Sequence, residues 1–211
     1  MSILFCVFVD YMNSSAATLE NTEKVLVVAT GNPGKVKEME IHLAHLPWQL
    51  VLKPKEIDVE ETGTTFQENA RLKASQVAIA TGQWAIADDS GLAVDALDGA
   101  PGLYSARYGK TNAERIGRLL AELGPNPNRN AQFVCAVSVA RPDGSIALES
   151  LGICPGEILR EPQGVGGFGY DPIFYVPEKS MTFAEMPIEM KREISHRGRA
   201  LNQLLPKLAA L

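Results

Sequence analysis

Long hydrophobic runs are missing from this 211-residue chain, and none approaches the about 20 apolar residues that a membrane-spanning helix requires. The one N-terminal suspect, Ile3 to Val9, is an apolar heptad with no Lys or Arg before it, short for the core of a signal peptide. Cysteine is scarce: Cys6, Cys135 and Cys154 are odd in number and include no CxxC pair, so neither a disulfide framework nor a thiolate zinc site is supported, and a reducing cytoplasm is the default. Positive charge is also short. Twenty Lys plus Arg against 25 Asp plus Glu leave a net charge of -5, the wrong sign for broad binding to nucleic-acid polymers or anionic membranes. Repeats, low-complexity tracts and Pro, Gly or Ser-rich linkers are absent, which favours a single domain. What remains, with 45% hydrophobic and 21% charged residues, is enough apolar material to bury the core of a soluble globular protein.

Residues 1–22 read as an extension from an upstream start codon, since a polar stretch from Asn13 to Lys24 separates the heptad from the first convincing strand; an edge strand or partner-binding arm is the alternative. The domain proper is placed at 23–211. Val25 to Ala29 is a continuous apolar run ending in Thr30-Gly31-Asn32-Pro33-Gly34, the pattern of a buried strand, a loop and then a helix to about Leu46. Leu50 to Leu52 is a second apolar piece, Thr64 or Thr65 caps a helix to about Ala80, and Trp84 to Ala87 is another buried strand. Ile116, Leu119, Leu120 and Leu123 share one helix face, stopped by Gly124-Pro125. Arg141 to Ser145 carries turn chemistry between Phe133–Ala140 and Ile146–Ile153, which predicts an antiparallel hairpin. Leu201, Leu204, Leu205 and Leu208 give a last helix with Ser195, His196 and Arg197 near its start. Strand-helix units plus a hairpin indicate α/β with a mixed sheet; the strand order stays open.

Several segments could carry chemistry. Thr30 to Lys35 aims backbone N–H groups and a helix dipole at one point, suited to an anion, although an ordinary turn reads the same, and neither GxxxxGK[ST] nor GxGxxG is present. Glu60-Glu61 and Asp88-Asp89 supply two acidic pairs, the second placed at the C-terminal end of the Trp84 strand, and suggest a hard cation such as Mg²⁺ held between carboxylates and substrate phosphates. Arg107 sits among aromatics in a turn-rich stretch, a suitable phosphate fork or a surface stack. Gly164 to Pro172 puts four glycines around Phe168, Tyr170 and Asp171, so backbone and a ring can approach a flat ligand. Lys191 and Ser195 are spaced to share a helix face, and no GxSxG elbow supports serine chemistry around His196. Lys35, Arg107, Lys191 and Arg197 would make a local basic pocket opposed by carboxylates, which together describe a site for a magnesium triphosphate.

TGNPGK at Thr30–Lys35, ADDSGL at Ala87–Leu92, PGLYSARY at Pro101–Tyr108, GGFGYDPIF at Gly166–Phe174 and SHR at Ser195–Arg197 follow one another from about Val25 to the last helix. In this order they resemble the Ham1/RdgB-type inosine triphosphate pyrophosphatases. The resemblance implies a dITP/XTP diphosphatase that converts non-standard purine nucleoside triphosphates to monophosphate and pyrophosphate. It implies an elongated α/β fold, with a mixed, twisted sheet flanked by helices, two lobes and a central cleft, in a cytoplasmic homodimer that uses Mg²⁺. Residue by residue, Asp89 would be the catalytic proton acceptor and, with Glu60, a metal ligand. Thr30, Gly31, Asn32, Pro33, Gly34 and Lys35 would bind phosphates, Lys73 and Arg107 would touch them, and Ser90 would contact substrate beside Asp89. Phe168, Gly169, Tyr170 and Asp171 would hold the nucleoside, Lys191 would contact substrate, and His196 and Arg197 would read the purine's 6-oxo edge. A Maf-like pyrophosphatase for other modified nucleotides and a non-catalytic nucleotide sensor are the alternatives.

Overall fold

A computed structural model describes residues 24–211; the heptad from Ile3 to Val9, Cys6 and the extension placed at 1–22 lie outside the described residues. Strand β1 (Lys24–Val28) leads into helix α1 (Pro33–Leu43), β2 (Trp48–Leu52), α2 (Phe66–Thr81) and β3 (Trp84–Val94). After α3 (Asn112–Leu123) come the long strands β4 (Asn130–Ala140) and β5 (Ile146–Ile158), the short β6 (Phe174–Val176) and β7 (Met181–Thr182), then α4 (Ile188–Ile194) and α5 (His196–Ala209). All seven strands form one sheet in the order β2-β1-β3-β4-β5-β6-β7. β1 is parallel to β2 and β3, and every later pairing is antiparallel. The mixed sheet flanked by helices is the fold class expected from the sequence.

Local chemistry explains the boundaries. Asn32 caps α1, its Oδ1 accepting from the Gly34 and Lys35 N–H groups, with Pro33 at the first helical position. Thr65 and Thr111 cap α2 and α3, each in a reciprocal capping box with the glutamate three residues on, Glu68 and Glu114. Strand periodicity then divides the core. Val28 and Ile86 pack with Met39, Leu43, Leu201 and Leu204 on the α1 and α5 face, while Val27, Ala29, Ala85 and Ala87 pack with Ala74, Val77 and Ala78 of α2 on the other. A third cluster builds the far end of the sheet, where Phe133 meets Phe174 and Phe183 beside Leu119 of α3.

Two expectations change here. Asp88-Asp89 does not end a strand, because β3 continues to Val94 and pairs with β4 from Ala85 to Val94, with Asp88 opposite Val137 and Asp89 opposite Ala136. Lys191 and Ser195 do not share one continuous helix face. Ser195 closes α4 and caps α5, its extended backbone (φ -66°, ψ 160°) turning the chain between them, and its side chain accepts from the Gly198 N–H. That break delivers His196 and Arg197 into the interior at the first turn of α5. Gly152 of β5 makes the delivery possible, since a Cβ there would collide with the His196 carbonyl and the Ala200 N–H.

Candidate active site

Two adjoining cavities share Asn32, Lys35, Ser90 and Ala106. The outer one, about 320 Å³, is lined by Thr30, Gly31, Asn32 and Lys35 from the β1–α1 loop, by Glu61, Lys73 and Asp89, and by Arg107. The inner one is lined by Phe168, Gly169, Tyr170 and Asp171, by Lys191, and by His196 and Arg197. The inner one adds the rings of Phe133, Phe168, Tyr170 and His196 to its charged groups, and the two meet at Asn32, Lys35 and Ser90.

Alternation along β3 separates the two aspartates. Asp88 faces α5 and is fully buried; its Oδ2 accepts from Arg197 Nη2 at 2.8 Å and Nε at 3.3 Å and lies 3.1 Å from Lys35 Nζ. Burial opposes its charge, but Lys35, Arg197 and Lys73 outweigh it and hold the carboxyl well below the usual range. Asp89 faces α2 instead, where Lys73 Nζ donates to its Oδ1 at 3.0 Å and Asn69 Nδ2 to its Oδ2 at 3.2 Å. Burial here wins over Lys73 and Lys35, so Asp89 is pushed above the ordinary aspartate value. A carboxylate tuned upward in a cleft is suited to receiving a proton.

Lys73 Nζ also donates to Glu61 Oε1 at 2.6 Å, and Arg107 Nη2 to Glu61 Oε2 at 2.7 Å. Of the pair Glu60-Glu61, the structure therefore brings Glu61 to the cleft; Glu60 is exposed and lines neither cavity. The reason is again local. The chain turns tightly at Glu61, the Thr62 N–H donating to the Glu60 carbonyl at 3.2 Å, and of the pair only Glu61 pairs with the cations.

The inner pocket is held by a chain of ion pairs. Glu38 of α1 accepts from Lys191 Nζ at 2.9 Å and from Arg197 Nη1 at 2.5 Å. Burial resists its charge, but the two cations hold it at about 2. Lys191 Nζ donates in addition to Asp171 Oδ2 at 2.6 Å, and the Phe168 N–H to the same oxygen at 2.7 Å, so Asp171 staples the glycine-rich loop to α4. Lys191 Nζ stands 5.0 Å from the Phe168 ring centroid. His196 stacks on Phe133 at 4.5 Å and 10°. Burial first, and then Arg197, hold its pKa well below the usual histidine value, so the ring is neutral; its Nδ1 has no partner among the described residues.

A sequence profile of the Ham1 family matches residues 26–207. The chain belongs to the Ham1 family. It is 66% identical over 188 residues to a protein of Nostoc sp. named dITP/XTP pyrophosphatase, covering 89% of this chain and 96% of that one, and 65% identical to a Synechocystis sp. protein of the same name, covering 85% and 93%. A Ham1 protein structure from Coxiella burnetii superposes with a TM-score of 0.81 at 43% identity, covering 89% of this chain and all of that one. The Staphylococcus aureus Ham1 structure gives 0.79 at 42%, covering 89% and 99%.

Within this Ham1 fold, the residues singled out in sequence fall into four groups. Thr30, Gly31, Lys73, Asp89 and Arg107 line the charged cleft, Phe168, Gly169, Tyr170, Asp171, Lys191, His196 and Arg197 line the aromatic one, and Asn32, Lys35 and Ser90 line both. Pro33, Gly34 and Glu60 line neither. Gly34 serves packing, since a Cβ there would press 2.7 Å from the Phe168 ring. The phosphate loop also differs from a bare N–H cradle, because Asn32 already takes the Gly34 and Lys35 N–H groups at 2.9 and 3.3 Å. Anion affinity there falls to the helix dipole and the Lys35 ammonium. Sequence reasoning missed Glu38 and Asn69, and of the pair Glu60-Glu61 it took Glu60 as the ligand. Glu38 lies three residues after Lys35 and Asn69 four before Lys73, helical spacings that put each beside a cation already singled out.

Proposed function

We propose that this Ham1 protein hydrolyses non-standard purine nucleoside triphosphates, ITP, dITP and XTP, to the monophosphate and pyrophosphate, removing them from the nucleotide pool. The observation that carries the reading is the junction of the two cavities: a cleft with four cations (Lys35, Lys53, Lys73 and Arg107) and three carboxylates (Asp58, Glu61 and Asp89) opens at Asn32, Lys35 and Ser90 into a pocket with Phe168 and His196. A triphosphate fits the first and a purine the second. The relatives named dITP/XTP pyrophosphatase support the same substrate class.

In this reading Lys35, Lys73 and Arg107 bind and orient the phosphates, and Asp89 Oδ1 receives the proton of the water that attacks the α-phosphorus while pyrophosphate leaves. Lys73 and Asn69 fix the Asp89 carboxylate, one on each oxygen. Glu61 and Asp89 suit a magnesium ion, because their oxygens converge on a single point, the Lys73 ammonium, at 2.6 and 3.0 Å. Among the described residues no group of three or more His, Cys, Asp or Glu could hold a metal alone, which accords with an ion whose shell is completed by water and substrate phosphate. Bound there, Mg²⁺ would neutralise phosphate charge and polarise the phosphoryl group.

Base choice follows from donors. His196 is neutral and lines the pocket with Lys191 and Arg197, and in this reading its ring N–H donates to a 6-oxo group. Adenine presents an N–H at that position and leaves donors unpaired, at about 1–3 kcal/mol each. Pyrophosphate release from ITP, dITP, XTP, ATP and methylated pyrimidine triphosphates with Mg²⁺ is the test. Turnover of the 6-oxo purines supports the reading. Preference for methylated pyrimidines favours a Maf-like activity, and tight binding with no turnover a sensor.

We also place the protein in the cytoplasm as a homodimer acting on free nucleotides rather than on nucleic-acid polymers or membranes. Buried, unpaired Cys135 and Cys154 suit a reducing compartment, and no helix among the described residues is long and apolar enough to cross a membrane. Sedimentation equilibrium tests the dimer.

A further inference from the structure

The cations that line the aromatic pocket are not equivalent. Lys35 is paired with Asp88, Lys191 with Glu38 and Asp171, and Arg197 with Glu38 and Asp88. Arg115, at the fourth position of α3, lines the same pocket yet has no carboxylate within 4.0 Å among the described residues. Its Nε donates to the Gly109 carbonyl at 2.9 Å and its Nη1 to Asn112 Oδ1 at 3.1 Å. Two neutral acceptors thus orient the fork, and Nη2 has no acceptor among the described residues. A half-buried guanidinium with one open nitrogen and a full charge is a site for an acceptor on the ligand.

We propose that Arg115 is a specificity-determining residue that reads the 2-position of the purine. The inference rests on the purine reading of the pocket. With the 6-oxo edge turned to His196 and Arg197 at the start of α5, the 2-substituent lies on the other side of ring N1 and meets a different wall, and Arg115 is the cation reaching the pocket from α3. The three 6-oxo purines differ chiefly at this position, xanthine also carrying a proton on N3. Xanthine carries a 2-oxo acceptor on a comparatively acidic ring, hypoxanthine carries a C–H, and guanine carries an amino group whose protons would face the Arg115 N–H donors. Donor against donor leaves both unpaired and desolvated, whereas donor to carbonyl forms a charge-assisted hydrogen bond. Arg115 therefore favours XTP, tolerates ITP and rejects GTP, a discrimination the α5 cations cannot make, because all three bases share O6.

The experiment compares kcat/KM for XTP, ITP and GTP in the full-length wild type and in Arg115→Leu and Arg115→Lys. Wild type is expected to follow XTP above ITP above GTP. Leucine should cut the XTP-to-ITP ratio by about tenfold, the value of one hydrogen bond to a charged group, and raise GTP relative to ITP; lysine, which keeps a cation, should retain most of the XTP preference. Ratios within one variant are immune to a general loss of folded enzyme. Ratios unchanged by leucine, or a wild type that hydrolyses GTP as well as ITP, would overturn the role of Arg115 while leaving the purine assignment standing. A wild type that hydrolyses none of the three would instead remove the assignment itself.

Discussion

Asp88 and Asp89 are adjacent in β3 but serve opposite faces of the sheet, Asp88 bound to Arg197 Nη2 at 2.8 Å and Asp89 to Lys73 Nζ at 3.0 Å. Their electrostatic settings are opposed as well. Despite burial, Lys35 and Arg197 hold Asp88 down, whereas burial holds Asp89 up. A carboxylate lowered in the folded state contributes stability above its unfolded pKa, while one that is raised costs stability once ionised.

Isosteric amides should therefore separate the pair. Asp88→Asn leaves Arg197 and Lys35 facing a neutral group inside the core and is expected to cost about 3 kcal/mol, as breaking a buried ion pair does. Asp89→Asn should be at least as stable as wild type at pH 7.5, yet lose turnover by about 10²–10⁴-fold, the contribution of a positioned general base. Urea denaturation and pyrophosphate release measure the two effects. Equal destabilisation by both substitutions would show that the aspartates act as one acidic pair after all, and near-normal turnover of Asp89→Asn would remove its role as proton acceptor.

Glu60 and Glu61 offer a second pair to divide. Glu61→Gln removes one of the two carboxylates that converge on Lys73 and should raise the Mg²⁺ concentration needed for half-maximal rate by at least about tenfold, since carboxylate charge governs affinity for a hard cation. Glu60, exposed and outside both cavities, should tolerate Gln with little change. Magnesium titrations of the two variants decide between them, and a larger effect at Glu60 would return the ligand to that position.

The contrast shows where the sequence was legible. Apolar runs and caps placed β1, α2, the end of α3 and the turn of the β4–β5 hairpin close to where they are observed, because those signals are local, while the outer ends of β4 and β5 run on to Asn130 and Ile158. The glycine-rich loop and the SHR tripeptide pointed to the pocket because glycine and clustered cations are costly to place without a use. What stayed hidden depends on partners distant in sequence. β3 runs past Asp88-Asp89 because β4 lies beside it, and a carboxylate pair reads as an end rather than a middle until that partner is known. Strand periodicity already implied that Asp88 and Asp89 point apart, but not which face held the cations. Glu38 was invisible as a site residue because its partners, Lys191 and Arg197, lie more than 150 positions away.

Lys73 predicts a pH dependence. Asp89 works as a base only when deprotonated, so the rate falls as pH drops through its pKa, which burial places above the ordinary aspartate value and Lys73 partly restrains. Lys73→Met removes that restraint. The acid limb of the kcat/KM profile should then move to higher pH while the plateau drops with the lost phosphate contact. Because His196 is held neutral by burial and Arg197, wild type should show no separate step attributable to it near pH 6.5. An acid limb that stays in place in Lys73→Met would assign it to another group.

Gly152 links packing to the base pocket. It lies in β5 directly under the first turn of α5, where a Cβ would collide with the His196 carbonyl and the Ala200 N–H. Backbone cannot yield as a flexible side chain can, so Gly152→Ala must lift the N-terminus of α5 away from the sheet. His196 and Arg197 ride on that turn, and Arg197 in turn anchors Asp88, Glu38 and Ser90. The expected result is a loss of about 1–3 kcal/mol in stability, typical of an overpacked core, accompanied by weakened discrimination between ITP and ATP. The second effect is the informative one. Lys73, Glu61 and Asp89 lie on the opposite face of the sheet, so phosphate hydrolysis should survive in the folded fraction while base selectivity declines. Loss of turnover with selectivity intact would instead mean that α5 supports the chemistry rather than the choice of base.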